Sequence, residues 1–180
     1  MKLTRTLTRL AAPLTCVPLL SLAACSGQRP EIPMKICGTR IDPKITKPLL
    51  RSTGKVSEWR TAEWGGKGHD VCTVSVDKSE AFDVTLTWHP DSIEPLKYAS
   101  PNNSVTGLWD PERMELADRA AIGDDGAIAT TRCQGDKIQY FTLALKLTHN
   151  RKVPHLKTDI NKFMRAYMPA TMKTVGCTPP

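Results

Sequence analysis

The chain has 180 residues, with 25 Lys and Arg against 18 Asp and Glu for a formal net charge of +7. Three of the basic residues, Lys2, Arg5 and Arg9, fall within the first 24, so the remainder carries 22 basic and 18 acidic residues, a net +4. That weak surplus lacks a basic helix or an aromatic-basic strand motif, which excludes nucleic acid as the expected partner.

The N-terminus runs from those basic residues into an apolar stretch, Leu10 to Leu22, and then into Ala23 and Ala24. Charged, apolar and small-residue segments in that order predict a secretory signal over 1–24. The apolar run is about 13 residues, shorter than the roughly 20 of a spanning helix, and Pro13 and Pro18 interrupt it. Leu22-Ala23-Ala24-Cys25 fits a lipobox, in which the cysteine thiol accepts a diacylglycerol and the leader is cut just before it. A chance cysteine after an ordinary cleavage site is the alternative. Two acyl chains at ~0.8 kcal/mol per buried methylene would give a stable membrane anchor. Residues 26–36, rich in small, polar and Pro residues at their start, are expected to form a tether, with one domain over 37–180.

Four cysteines remain beyond the leader and the lipobox: Cys37, Cys72, Cys133 and Cys177. An even set in an exported chain favours two disulfides, and the absence of a CxxC pair argues against a zinc knuckle or redox motif.

In chain order, Asp42-Pro43 caps a first helix with Ile41, Ile45 and Leu49 on one side, bent at Pro48 and stopped at Gly54. Strands are expected at Val56 to Ala62, Val71 to Val76 and Phe82 to Trp88, the first two joined by a turn at Gly65 to Gly68. Four prolines between Pro90 and Pro111 predict a long loop with a short helix near Ile93 to Tyr98, a place to look for a site. Three further strands follow at Met114 to Ala121, Ala127 to Cys133 and Lys137 to Leu147, with turns at Asp124-Asp125-Gly126 and Gln134-Gly135-Asp136. A last helix from about Pro154 to Lys173 places Leu156, Ile160, Phe163, Met164 and Tyr167 on one face, with Pro169 in its last turn and Gly176 beyond it. The expected fold is α+β: an antiparallel sheet of five or six strands with N- and C-terminal helices packed on it. Following chain direction, the final helix returns Cys177 to Cys133, and the early helix, strand and turn return Cys72 to Cys37.

The lipobox at Cys25, a helix just after Cys37, Val71-Cys72-Thr73 opening a strand, Cys133 ending a strand and a final helix closing at Cys177 together resemble small actinobacterial lipoproteins of unassigned function. The resemblance implies a PsbP-like α+β domain at the cell envelope. It implies no activity.

Catalytic templates are missing: the sequence has no G-x-S-x-G, SxxK, P-loop, dinucleotide or HExxH pattern, and we expect no cofactor and no metal. His69, His89, His149 and His155 are scattered, and Asp124-Asp125 suits a turn. Met164, Met168 and Met172 recur every four residues, as core-filling methionines do on a helix that faces a sheet. Trp64 and Trp109 stand in or beside Gly- and Pro-rich loops and are the candidate contacts for a ligand or partner. The expectation is a non-enzymatic, lipid-anchored binding or accessory protein holding an envelope protein, lipid or cell-wall ligand at the extracytoplasmic face of the membrane. The alternatives are an envelope hydrolase with His69 or His89 as base and a purely structural envelope component.

Overall fold

The structure is a computed structural model and describes residues 31–50, 52–62, 68–100, 107–134, 139–148 and 153–178. It opens with a small hairpin, β1 (Lys35–Ile36) and β2 (Thr39–Arg40), followed by α1 (Pro43–Leu50). A second hairpin system comprises β3 (Val56–Ala62), β4 (His69–Val76) and β5 (Ser79–His89). The one-turn helix α2 (Pro95–Tyr98) leads to β6 (Glu112–Met114), β7 (Arg119–Gly123), β8 (Gly126–Arg132) and β9 (Tyr140–Leu147), and α3 (Leu156–Thr174) closes the chain. The seven strands after the first hairpin form one antiparallel sheet in the order β3-β4-β5-β9-β8-β7-β6. No helix among the described residues is long and apolar enough to cross a membrane.

The α+β class and the packing of both terminal helices agree with expectation, but the sheet has seven strands rather than five or six. The extra strand arises because the segment expected to run unbroken from Met114 to Ala121 turns at Leu116 to Asp118, where Ala117 takes φ +54°. Its two halves then pair as a hairpin, Met114 opposite Ala120. The first hairpin was also unforeseen. Its turn places Cys37 at φ +50° and Gly38 at φ +78°, the doubly left-handed geometry of a type I′ hairpin. Met34 to Ile36 are therefore packed with the domain rather than part of a tether: Ile36 is fully buried, and the Met34 carbonyl accepts the Ile41 N–H at 3.0 Å.

Alternation along the strands explains how the sheet faces divide. Val74, Phe82, Val84, Leu143 and Leu145 are buried on one face beneath the helices. On that face Phe82 lies opposite Leu147 and Val84 opposite Leu145 in register. The amphipathic α3 supplies Leu156, Ile160, Phe163, Met164, Tyr167 and Met168, all buried. The Phe163 ring stacks on Tyr167 at 4.7 Å and meets Phe82 edge-on at 5.9 Å, tying helix to sheet. Met172 packs against the same core, which agrees with the filling role expected of the methionine stripe.

Side-chain bonds then fix the first hairpin to α3. The Tyr167 hydroxyl donates to the Ile36 carbonyl at 2.8 Å, and Thr39 and Thr171 share a buried hydroxyl contact at 3.1 Å. Burial pushes the Tyr167 phenol up to about 12, so it stays a donor at any pH the protein meets. Cys37 bonds to Cys72 and Cys133 to Cys177, with Cα separations of 5.9 and 5.1 Å. Both pairings are those expected from the chain path. Gly176, at φ +72°, ends α3, and the Cys177 N–H returns to the Met172 carbonyl at 2.8 Å while the Gly176 N–H returns to Lys173. This Schellman turn aims Cys177 back at the sheet.

The Cys133–Cys177 bond closes a loop of 44 residues, so replacing both cysteines with alanine should lower unfolding stability by about 2–4 kcal/mol. Chemical denaturation of the oxidised wild type against the double variant measures this; an unchanged midpoint contradicts the clamp.

Candidate functional site

The second face of the sheet is covered over the β9-β8-β7 half by the described parts of the segment from residue 90 to 111, residues 90–100 and 107–111. Ile93, Ala99 and Leu108 of that segment are buried against Ala121, Ile128 and Ala144, forming a small core separate from the main one. Apolar side chains on alternate positions of β7, β8 and β9 thus face a cover on each side, and these strands read as nearly continuous apolar runs for that reason.

A buried charge fastens the end of this cover. Asp125 is only 4% exposed. Its carboxylate accepts the Lys146 ammonium at 2.7 Å and the Trp109 backbone N–H at 2.9 Å. Lys146 also donates to the Gly107 carbonyl, and the Asp124 N–H donates to the Trp109 carbonyl at 2.8 Å. Asp124 and Asp125 do occupy the β7–β8 turn, as expected, but Asp125 has a further task that composition does not announce. It holds Trp109 by its backbone while leaving the side chain 45% exposed. A rigid backbone under an accessible indole is the arrangement of a contact anchor.

At the other end of β7 the cover borders a cleft of about 680 Å³ lined by Glu94, Arg113, Glu115, Asp118, Arg119 and Arg165 among others. Glu94 stands between two guanidinium groups, 3.7 Å from Arg113 and 3.6 Å from Arg119. A smaller neighbouring recess shares Asp118 and Arg119 and adds Ser92, Arg132 and Tyr140. There the Asp118 carboxylate accepts the Arg132 N–H at 2.7 Å, and the Arg132 side chain donates to the Tyr140 hydroxyl at 3.1 Å. Planar guanidinium donors suit carboxylate or phosphate groups, and here Glu94 already occupies part of that capacity. The cleft and the recess together draw on five separate stretches of chain, and no local pattern marks them.

Among the described residues, His69, His89 and His155 do not converge on a catalytic arrangement. His69 Nδ1 meets the Thr87 hydroxyl at 3.2 Å, its cross-strand partner. His89 lies two residues beyond Thr87, with a buried Nε2 that has no partner among the described residues. Among the described residues no carboxylate bonds to either ring. His155 precedes α3 at φ +66°. Cys25, Trp64 and His149 lie outside the described residues. Among the described residues, the grouping of metal-ligand atoms is Cys37, Glu58 and Cys72. Its two sulfurs are bonded to each other and supply no thiolate. A separate recess of about 500 Å³ beside α1 is lined by Ile32, Pro43, Leu50 and Val56, with Lys44 and Lys47 also on its wall.

No protein-family model matches the chain, and neither curated proteins nor solved structures show significant similarity to it.

Two outcomes are expected. Lys146→Met removes the countercharge of a buried carboxylate and should cost about 3 kcal/mol, with greater protease sensitivity near residue 107; an unaltered unfolding midpoint contradicts the clasp. Burial lowers the His89 pKa below its ordinary 6.5, so the unfolded chain binds that proton more readily than the folded one. Stability should therefore decline as pH falls below about 6.5, and His89→Gln should flatten this part of a pH–stability curve; an identical slope in both proteins rules the effect out.

Proposed function

We propose that this chain is an extracytoplasmic accessory lipoprotein, anchored through diacylglycerol on Cys25, that binds an envelope protein, lipid or cell-wall ligand without chemical turnover. The observation that carries the reading is the complete pairing of the four cysteines that follow Cys25. Bonds of that kind persist in oxidising compartments and are uncommon where thiols are kept reduced. They are the expected companion of a lipobox, because the same export step delivers both the anchor and the oxidant.

The geometry adds a direction to the proposal. Glu31 and Ile32 lie beside α1 and the start of β3, so five residues of tether, a reach of about 20 Å when extended, separate Cys25 from that edge of the domain. The arginine cleft belongs to the opposite edge of the sheet, beyond β9 and β8. Trp109 and the cleft residues would then face away from the bilayer edge that the tether occupies, where an envelope partner can reach them. Trp64 keeps its place as a second candidate contact on sequence grounds.

The direct test is covalent. Growth with an alkyne fatty acid should label the wild-type protein and leave Cys25→Ala unlabelled and soluble, while intact mass should show loss of residues 1–24. Retention of the leader, or membrane association that survives Cys25→Ala, would sink the proposal. For the binding surface, Trp109→Ala should reduce proximity crosslinking to neighbours in intact cells without altering the fold.

A further inference from the structure

The two edges of the seven-stranded sheet are unlike each other. β6 has three residues and follows Pro111, which has no N–H to offer a neighbour. β3 has seven, Val56-Ser57-Glu58-Trp59-Arg60-Thr61-Ala62, with no proline and an unbroken register against β4 from Val56–Val76 to Ala62–Asp70. A long regular edge is a template for a further strand unless something blocks it. Trp59, on this strand, is 66% exposed, more than any other large hydrophobic side chain among the described residues.

Charged residues usually guard such edges, and β3 carries Glu58 and Arg60. Their placement alternates around Trp59. Glu58 and Arg60 share the helix-covered side, opposite the buried Val74 and Cys72, while Trp59 lies on the other side opposite Thr73. In antiparallel pairing of two identical strands centred on Trp59, each Glu58 falls opposite the Arg60 of the other copy, and the two indoles meet. Centring the pair one residue earlier would oppose Glu58 with Glu58, and one residue later Arg60 with Arg60. Like charges directly opposite are destabilising and opposite charges stabilising, so one register is selected. Among the described residues Glu58 has no ion pair, and Arg60 holds Asp70 only at 3.8 Å. Glu58 therefore has no countercharge to give up, and Arg60 has one long contact, with Asp70, to share with a second copy.

We propose that β3 pairs with β3 of a second copy of this chain, antiparallel and centred on Trp59, doubling the sheet across a two-fold axis. Such an axis stands perpendicular to the sheet and keeps both helical faces on the same side. Glu31 and Ile32 lie beside α1 on that face, so both N-terminal segments leave in one direction, as two anchors in one bilayer require. A single strand pair with one aromatic contact makes a small interface, of the weak and transient class in solution. Confinement to a membrane raises the effective concentration that such a contact needs.

Sedimentation equilibrium of the full chain in density-matched detergent tests the proposal. The wild type should show a monomer–dimer equilibrium. Glu58→Lys should weaken it about tenfold by opposing Arg60 with like charge in both symmetric pairs, and Trp59→Lys at least as much. The double variant Glu58→Lys with Arg60→Glu should recover association to within about threefold of wild type, because the pairs are restored with sign reversed. Circular dichroism and a count of free thiols establish that each variant is folded, and Trp59→Lys, which leaves the Arg60–Asp70 pair intact, decides the matter if the charge variants misfold. A wild type that stays monomeric to roughly 100 µM, or a dimer indifferent to both Glu58→Lys and Trp59→Lys, overturns it.

Discussion

The position of α3 over the sheet is the constraint from which most of the architecture follows. Its aromatic face, Phe163 and Tyr167, is wedged between Phe82 of β5 and the first hairpin, and the Tyr167 hydroxyl reaches the Ile36 carbonyl. Fixing one helix thereby ties β5 to the first hairpin, whose two strands of two residues each bury little apolar surface of their own. At the other end Lys157 reaches both Glu112 at 3.2 Å and Asp124 at 3.5 Å. Burial works against its charge, yet these two carboxylates raise its pKa, so the ammonium persists and joins the start of the helix to β6 and the β7–β8 turn. Cys177 closes the far end on Cys133. The helix is held at its start, its middle and its finish, each by a different kind of interaction.

Much of the fold was legible because its periodicities are strong. The seven-residue alternation of Phe82 to Trp88 and the 3.6-residue spacing of Leu156, Ile160, Phe163 and Tyr167 carry the fold through burial alone. The disulfide pairing followed from chain direction once those elements were placed. What escaped was set by a few backbone angles. Ala117, Cys37 and Lys78 adopt positive φ although their residue types do not favour it, so Gly38 and Asp77 beside two of them give only part of each turn's signature. The Asp77-Lys78 turn joins β4 to β5 and is held by the Asp77 carboxylate, which accepts the Lys55 N–H at 2.8 Å from 22 residues away. Tertiary contact selected that conformation, and a local reading could not.

The candidate site shows the same division. Trp109 was legible as an aromatic residue in a Pro-rich loop, and it does project from the cover of the second face. The device that immobilises it, Asp125 with Lys146, joins the β7–β8 turn to β9, a proximity that becomes visible only when the sheet is assembled. The arginine cleft is more dispersed still, since its walls come from the cover, the β6–β7 turn, β8, β9 and α3. Sites built between elements rather than within one carry no spacing rule for a sequence reader to find.

The turn at Gly176 bears on how the molecule is made. Because the residue that completes the second cross-link follows α3 (Leu156–Thr174), that link can form only once the whole of this helix is in place. A fragment ending short of position 177 would carry a permanently reduced Cys133, at the end of β8 and deprived of its cover. The state of that one sulfur thus reports whether the final helix has docked, which gives a thiol-reading system a direct means of telling domains with a seated α3 from those without one.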